Sequence, residues 1–177
     1  LWYNELFIKE TKMVSAVDIA KYFISKDVEK KLFTKNYIVS NGAGFTEGSA
    51  RVNKYLHLAQ NIYIAKHGEL LFYENLYAFK NGAVVEEVRL GYTNISNNIS
   101  TSLPCKIEQF LNIVYDILKD ATIEELIDIS HEDPEWVDKS RNATKQAQKM
   151  NSINRTIEYK EHYSDILILM SRMFNYE

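Results

Sequence analysis

Apolar positions recur at three- and four-residue steps through most of this chain, the period of helices that turn one face to a core. The clearest stretch, Val52 to Tyr92, organises the rest. Val52, Tyr55, Leu56, Ala59, Ile62 and Tyr63 mark one helical face. Gly68 ends that helix, because glycine takes a left-handed cap without steric strain. The run LLFYENLYAF that follows suits a pleated, half-buried strand. KNGA (Lys80 to Ala83) makes a turn, and VVEEVRLGY resumes helical spacing.

The flanks are read the same way. Ser15 caps a helix over SAVDIAKYFISKDVEKKL, with Asp18 three residues on and Ala16, Ile19, Ala20, Phe23 and Ile24 as its buried face. Asn36 to Ala50 holds three glycines and predicts a loop. Gly48 is followed by Ser49 and Ala50, not by the Lys-Ser/Thr of a phosphate loop, so the segment reads as a connector. Thr93 to Pro104 is polar and without period, a linker. A helix follows over Lys106 to Lys119, and Thr122 with Glu125 opens a short one containing Leu126, Ile127 and Ser130. Asp133 and Pro134 have the N-cap and first-turn chemistry of another helix start. A final amphipathic helix spans about 154–174. The pattern predicts a mainly α fold with one small β element, a strand or hairpin, between the central helices.

Composition narrows the classes. The 177 residues are 46% hydrophobic and 25% charged, ordinary globular values. A net charge of −3 argues against duplex DNA as a partner, since phosphate contacts need a basic face. With one cysteine, Cys105, no intramolecular disulfide forms, which fits a reducing, cytoplasmic home. No apolar run has the length of a membrane span, and LWYNELFIKETKM lacks the basic-then-apolar order of a secretory signal.

Candidate chemistry is sparse. Of four histidines, His57 and His67 lie ten apart on one helix, about 15 Å along its axis, too far to share an ion. His162 sits among Glu158 and Glu161 on a charged face. His131 is the strongest candidate, in a corner with Glu132 and Asp133, but adjacent side chains diverge and no HExxH or CxxC spacing supports a metal. Glu86-Glu87 and Glu124-Glu125 diverge by about 100° on a helix and read as solvated faces or caps. Tyr55, Tyr63, Tyr73, Tyr77 and Tyr92 cluster around the central unit, as a core rim or a protein-binding face. No catalytic residue, cofactor or metal is assigned.

Several motifs in order carry a resemblance. AVDIAKYFI at 16–24 resembles the opening helix of the Panacea domain, the SocA-like antitoxin family also known as phage-associated proteins. The family's L-x-K-L-L-Y-x-A helix, glycine, apolar strand and W-x-x-G-P-V turn look like Val52–Ala59, Gly68, Leu71–Glu74 and Phe79–Val84. Its late T-H-x-x-x-x-W corner looks like Ser130 to Trp136. The likeness covers roughly 15–141, a helical domain that it sets off from an N-terminal arm (1–14) and a C-terminal extension (142–177), and it departs at Ala83, where the family has Pro, and at Phe79, where it has Trp. It implies a non-enzymatic protein that binds and neutralises a cognate protein toxin, in some members by handing it to a Clp-type protease. The positions it singles out as partner-binding or motif residues are Lys54, His57, Tyr77, Gly82, Val84, His131 and Trp136. Two other classes stand beside it: a metal-dependent hydrolase centred on His131, and a DNA-binding phage or operon regulator.

Overall fold

The computed structural model describes residues 14–142 and 145–174, so the predicted N-terminal arm lies outside the described residues but for Val14. The fold is mainly α. In order come α1 (Ala16–Lys26), β1 (Tyr37–Ser40), β2 (Ala43–Thr46), α2 (Glu47–His67), β3 (Leu76–Phe79) and β4 (Gly82–Val85). They are followed by α3 (Glu86–Asn97), α4 (Cys105–Leu118), α5 (Ile123–His131) and α6 (Pro134–Arg141). The chain ends with β5 (Gln148–Lys149), a 3-10 turn (Ser152–Arg155), α7 (Thr156–His162) and α8 (Ser164–Phe174).

Helix α2 is the axis. The sequence pattern gives it one buried face, yet burial runs almost all round it from Gly48 to Ala65, because α1, α3, α4, α5, α7 and β4 surround it. Its apolar side is conventional: Tyr55 meets Phe23, Phe33 and Tyr115 edge-to-face at 5.3, 5.5 and 6.2 Å. Its polar side is equally buried, and its side chains bond the backbone of its neighbours. Arg51 donates to Ala121 O (2.8 Å), and Asn53 Oδ1 accepts from Val85 N (2.8 Å). Gln60 Oε1 accepts from Leu71 N (2.7 Å) while its Nε2 donates to Phe72 O (2.9 Å). The Gln60 amide stands in for a strand partner, so residues 71–75 stay irregular where LLFYENLYAF predicts a strand; only Leu76–Phe79 pairs as one.

Several caps behave as the sequence predicts. Ser15 accepts from Asp18 N, Thr122 and Glu125 form a reciprocal capping box, and Asp133 caps α6 with Pro134 in its first turn. Gly68 holds φ +67 at the end of α2.

Two expectations change. The predicted loop at 36–50 is an antiparallel hairpin running into α2. Asn41 and Gly42 both adopt positive φ (51° and 74°), the twist that lets a two-residue turn join right-twisted strands. The predicted linker at 93–104 is helical through Asn97, because Ile95 continues the buried face of Val88 and Tyr92. The one small β element is therefore two sheets: β1–β2, and a three-stranded sheet ordered β4-β3-β5. The two hairpin turns touch, Asn41 Nδ2 donating to Asn81 Oδ1 (2.9 Å) and Asn81 Nδ2 to Ser40 O (3.0 Å).

The segment expected to be a C-terminal extension completes the core. β5 pairs with β3, and Tyr159 and Met170 are fully buried. The final helix breaks at Tyr163 into α7 and α8.

Candidate functional site

The hairpin β3–β4 lies against the α5–α6 corner, and two arrangements form there, one on each side.

The inner one is a sealed polar cluster. Lys54, His57 and Asn61 stand at helical spacing on α2; α5 brings Ser130, the α6 cap brings Asp133, and α7 with the residue after it brings Tyr159 and Tyr163. His57 Nε2 lies 2.5 Å from Asp133 Oδ2, and His57 Nδ1 lies 2.9 Å from Ser130 Oγ. Asp133 Oδ2 also accepts from Asn61 Nδ2 (2.9 Å), and its Oδ1 accepts from Tyr159 OH (2.8 Å) and Glu135 N (2.9 Å). Ser130 Oγ accepts from Ala83 N (3.2 Å), which ties the hairpin to the corner.

One protonation pattern satisfies these bonds. The Nε2–H tautomer of His57 donates to Asp133, Ser130 O–H donates to His57 Nδ1, and the Ala83 amide donates to Ser130. Burial pushes the Asp133 carboxyl up, but the hydrogen bonds it accepts from His57, Asn61 and Tyr159 outweigh it and hold Asp133 below its ordinary value. Burial, aided by the Asp133 charge, raises the Tyr159 and Tyr163 phenols. Lys54 makes no hydrogen bond or ion pair among the described residues, and burial lowers its amine to about 7. A cavity of about 10 Å³ beside Lys54, His57, Ser130 and Tyr163 has room for one water.

Serine, histidine and aspartate in one chain of bonds have the composition of a hydrolytic triad, but the access is missing. Gly82, at φ +110, covers Ser130: a Cβ there would come within 2.2 Å of Ser130 Oγ and 2.9 Å of Lys54 Cε. Ser130 and His57 are each 3% exposed. No substrate carbonyl reaches Ser130 Oγ while the hairpin is in place. The cluster acts as a pin that holds α2, the hairpin, the corner and α7 together.

The outer arrangement is an open groove of about 620 Å³ lined by Ala78, Phe79, Lys80, Trp136, Ser140 and Lys145, with adjoining loop residues. Trp136 forms its wall. The indole donates from Nε1 to Phe79 O (2.8 Å) and stacks on His131 at 4.0 Å and 14°. His131 Nε2 in turn lies 3.0 Å from Lys80 O. Burial lowers the His131 imidazole and Lys54 adds to this, against the opposing pull of the Lys80 carbonyl.

The sequence-predicted positions thus separate. Lys54, His57 and Gly82 come together inside and offer no surface, so of the two roles expected for them, partner contact or motif position, they do not fill the first. Tyr77 and Val84 are cross-strand partners, half-buried in the three-stranded sheet, with Lys149 opposite Tyr77 on the other side. His131 and Trp136 form the stacked wall. The hydrolase reading needs His131, Glu132 and Asp133 to converge, and they diverge: to Lys80 O, to solvent and to His57. Among the described residues no group of three His, Cys, Asp or Glu side chains has metal-binding geometry. Cys105 is exposed at the start of α4. No helix is long and apolar enough to cross a membrane among the described residues.

Asn61, Ser130, Tyr159 and Tyr163 carry roles that sequence reasoning missed, and Asp133 has a second role beyond its cap. The available signal was the polar spacing 54-57-61 on α2, together with Tyr159 and Tyr163 four apart. Compared with known proteins, the chain matches no family model, no curated protein and no solved structure at a significant level.

Proposed function

We propose that this chain is an antitoxin that binds and neutralises a cognate protein toxin through the surface around Trp136. The observation that carries the reading is the groove. It is formed by the same turn and corner that resemble the Panacea motifs, and its aromatic wall is held in place by bonds to the hairpin backbone. Aromatic side chains fixed in advance lose little entropy on binding and are favoured as interface anchors. The sealed cluster supports the same reading from the other side, since its donors and acceptors are engaged in holding the fold. The three-stranded sheet beside the groove adds Tyr77 and Val84 as a second contact patch. The protein's own location is proposed to be the cytoplasm, where such a toxin acts.

The test is co-expression with each small protein encoded by a neighbouring gene that arrests growth when expressed alone, scoring growth and co-purification. Rescue with a stable complex is the expected result, and it is lost on filling the groove with Ser140→Trp. Rescue with falling toxin levels and no stable complex assigns the protein to delivery into a Clp-type protease. Absence of both rescue and binding overturns the antitoxin reading.

A further inference from the structure

The groove has a charge as well as a shape, and that charge opposes the sign of the whole chain. Helix α6 sorts its side chains by face. Glu135 and Asp138 both turn to Arg155, with Glu135 Oε2 2.9 Å from Arg155 Nε and Asp138 in direct contact with the same guanidinium. Arg155 also takes Glu158 (3.0 Å), and Glu135 receives Asn151 N (2.8 Å). Trp136 and Ser140, four apart, occupy the groove face instead. The acidic residues of α6 are therefore gathered on Arg155. The groove is left with Lys80 on the hairpin turn, Lys145 after α6 and, among the described residues, no carboxylate in its lining. Both lysines are exposed, and neither makes an ion pair among the described residues. On the hairpin side the Arg89 guanidinium lies 5.3 Å from the Phe79 ring centre, with Glu86 as its partner (2.8 Å). A basic, aromatic groove on a chain of net charge −3 is a local inversion, the pattern that selects a partner of opposite sign.

We propose that this groove takes an extended acidic segment of a partner protein, an apolar side chain lying on Trp136 and carboxylates meeting Lys80 and Lys145. The inference rests on reading the groove as the partner surface and adds the chemistry of what enters it. Aromatic contact supplies the anchor and the two ammonium groups set direction and sign.

Two peptides of equal length test it by fluorescence anisotropy on the full chain. One is a labelled Asp/Glu-rich peptide with a central Phe; the other carries Lys at every acidic position. The acidic peptide binds, the basic one does not, and rising salt weakens the complex. The double charge reversal Lys80→Glu with Lys145→Glu lowers affinity for the acidic peptide about tenfold or more, while thermal unfolding stays at the wild-type temperature. Equal binding of both peptides, or no effect of the double reversal, overturns the inference. So does a single-stranded oligonucleotide that binds as tightly as the acidic peptide and is lost in the same variant. A toxin that co-purifies equally with wild type and double variant sinks the inference and leaves the antitoxin reading standing. An acidic peptide bound in the groove without any toxin rescue does the reverse.

Discussion

The hairpin β3–β4 has two sides, and they have opposite properties. Its Gly82–Ala83 end closes over Ser130, His57 and Asp133, where the chemistry is rich and no more than a water fits. Its Ala78–Lys80 edge opens on a groove with modest chemistry and full access. One short corner supplies both: Ser130 and Asp133 point inward, and His131 and Trp136 between and beyond them point outward. The difference teaches that residue types do not make a site until access is known. A serine–histidine–aspartate chain is a structural pin here, and a tryptophan held by a backbone carbonyl is the better candidate for function.

The largest effect is expected inside. Asp133→Ala leaves His57, Asn61, Tyr159 and the Glu135 amide without their common acceptor, and a loss of roughly 3–5 kcal/mol in urea unfolding follows. A loss under about 1 kcal/mol would mean the cluster does not hold the fold. The pH dependence has a definite sign. Because the folded Asp133 carboxyl titrates below its unfolded value, its stabilisation is complete above about pH 4 and disappears as pH falls through the folded value. The Ala variant lacks that part of the acid slope. Next comes Gly82→Ala, which forces a side chain to φ +110 and drives its Cβ onto Ser130 and Lys54. A destabilisation of roughly 2–4 kcal/mol is expected, and combined with Ser130→Ala the two losses fall short of their sum by about 1 kcal/mol, because the nearest clashing atom is already gone. Additive losses in the double variant would show that backbone strain, not the contact, sets the effect.

How much of this was legible follows from the reach of each signal. Local chemistry was: Ser15, Thr122, Asp133 and Gly68 act within a turn of themselves, and each caps where the sequence places it. Long-range chemistry was not. The polar positions of α2 have the period of a solvent face, and nothing local distinguishes Asn53, His57 and Gln60 from residues that meet water. Their partners lie 32, 73 and 12 residues away in the chain. Asn41-Gly42 was a readable hairpin turn, obscured by two further glycines that lent the segment the look of a loop. The corner at His131–Trp136 was singled out correctly as a feature. Which residue faced inward depended on the hairpin packed against it, and that no local spacing encodes.

The comparison sharpens further at Lys54, where the pin has a weak point. The amine has an ordinary lysine value unfolded and about 7 folded, so the unfolded chain binds more protons between those values. Wild-type stability should therefore rise from pH 7 toward pH 10, with the full penalty present below 7. Lys54→Met keeps the packing on Gly82 and removes the amine. A gain of roughly 2–4 kcal/mol at pH 6 is expected, less than the ~5 of the whole shift because the adjacent cavity can hydrate the charge. The gain fades toward pH 10; one that is the same at both pH values would show that burial of the charge is not its source.

The smallest effect on stability is expected on the open side. Lys80 is exposed at a turn, and Lys80→Glu should change unfolding free energy by no more than about 0.5 kcal/mol. The same substitution should weaken binding of the proposed acidic segment several-fold, about 1 kcal/mol of affinity, because it places a like charge in that segment's path. Isothermal titration beside urea unfolding separates the two quantities in one protein preparation. Inside, stability and binding fall together, since the groove is shaped by the hairpin that the pin holds. Outside, binding falls alone. A Lys80→Glu protein that lost both would place the hairpin turn, and not only the residues beneath it, among the parts that hold the fold.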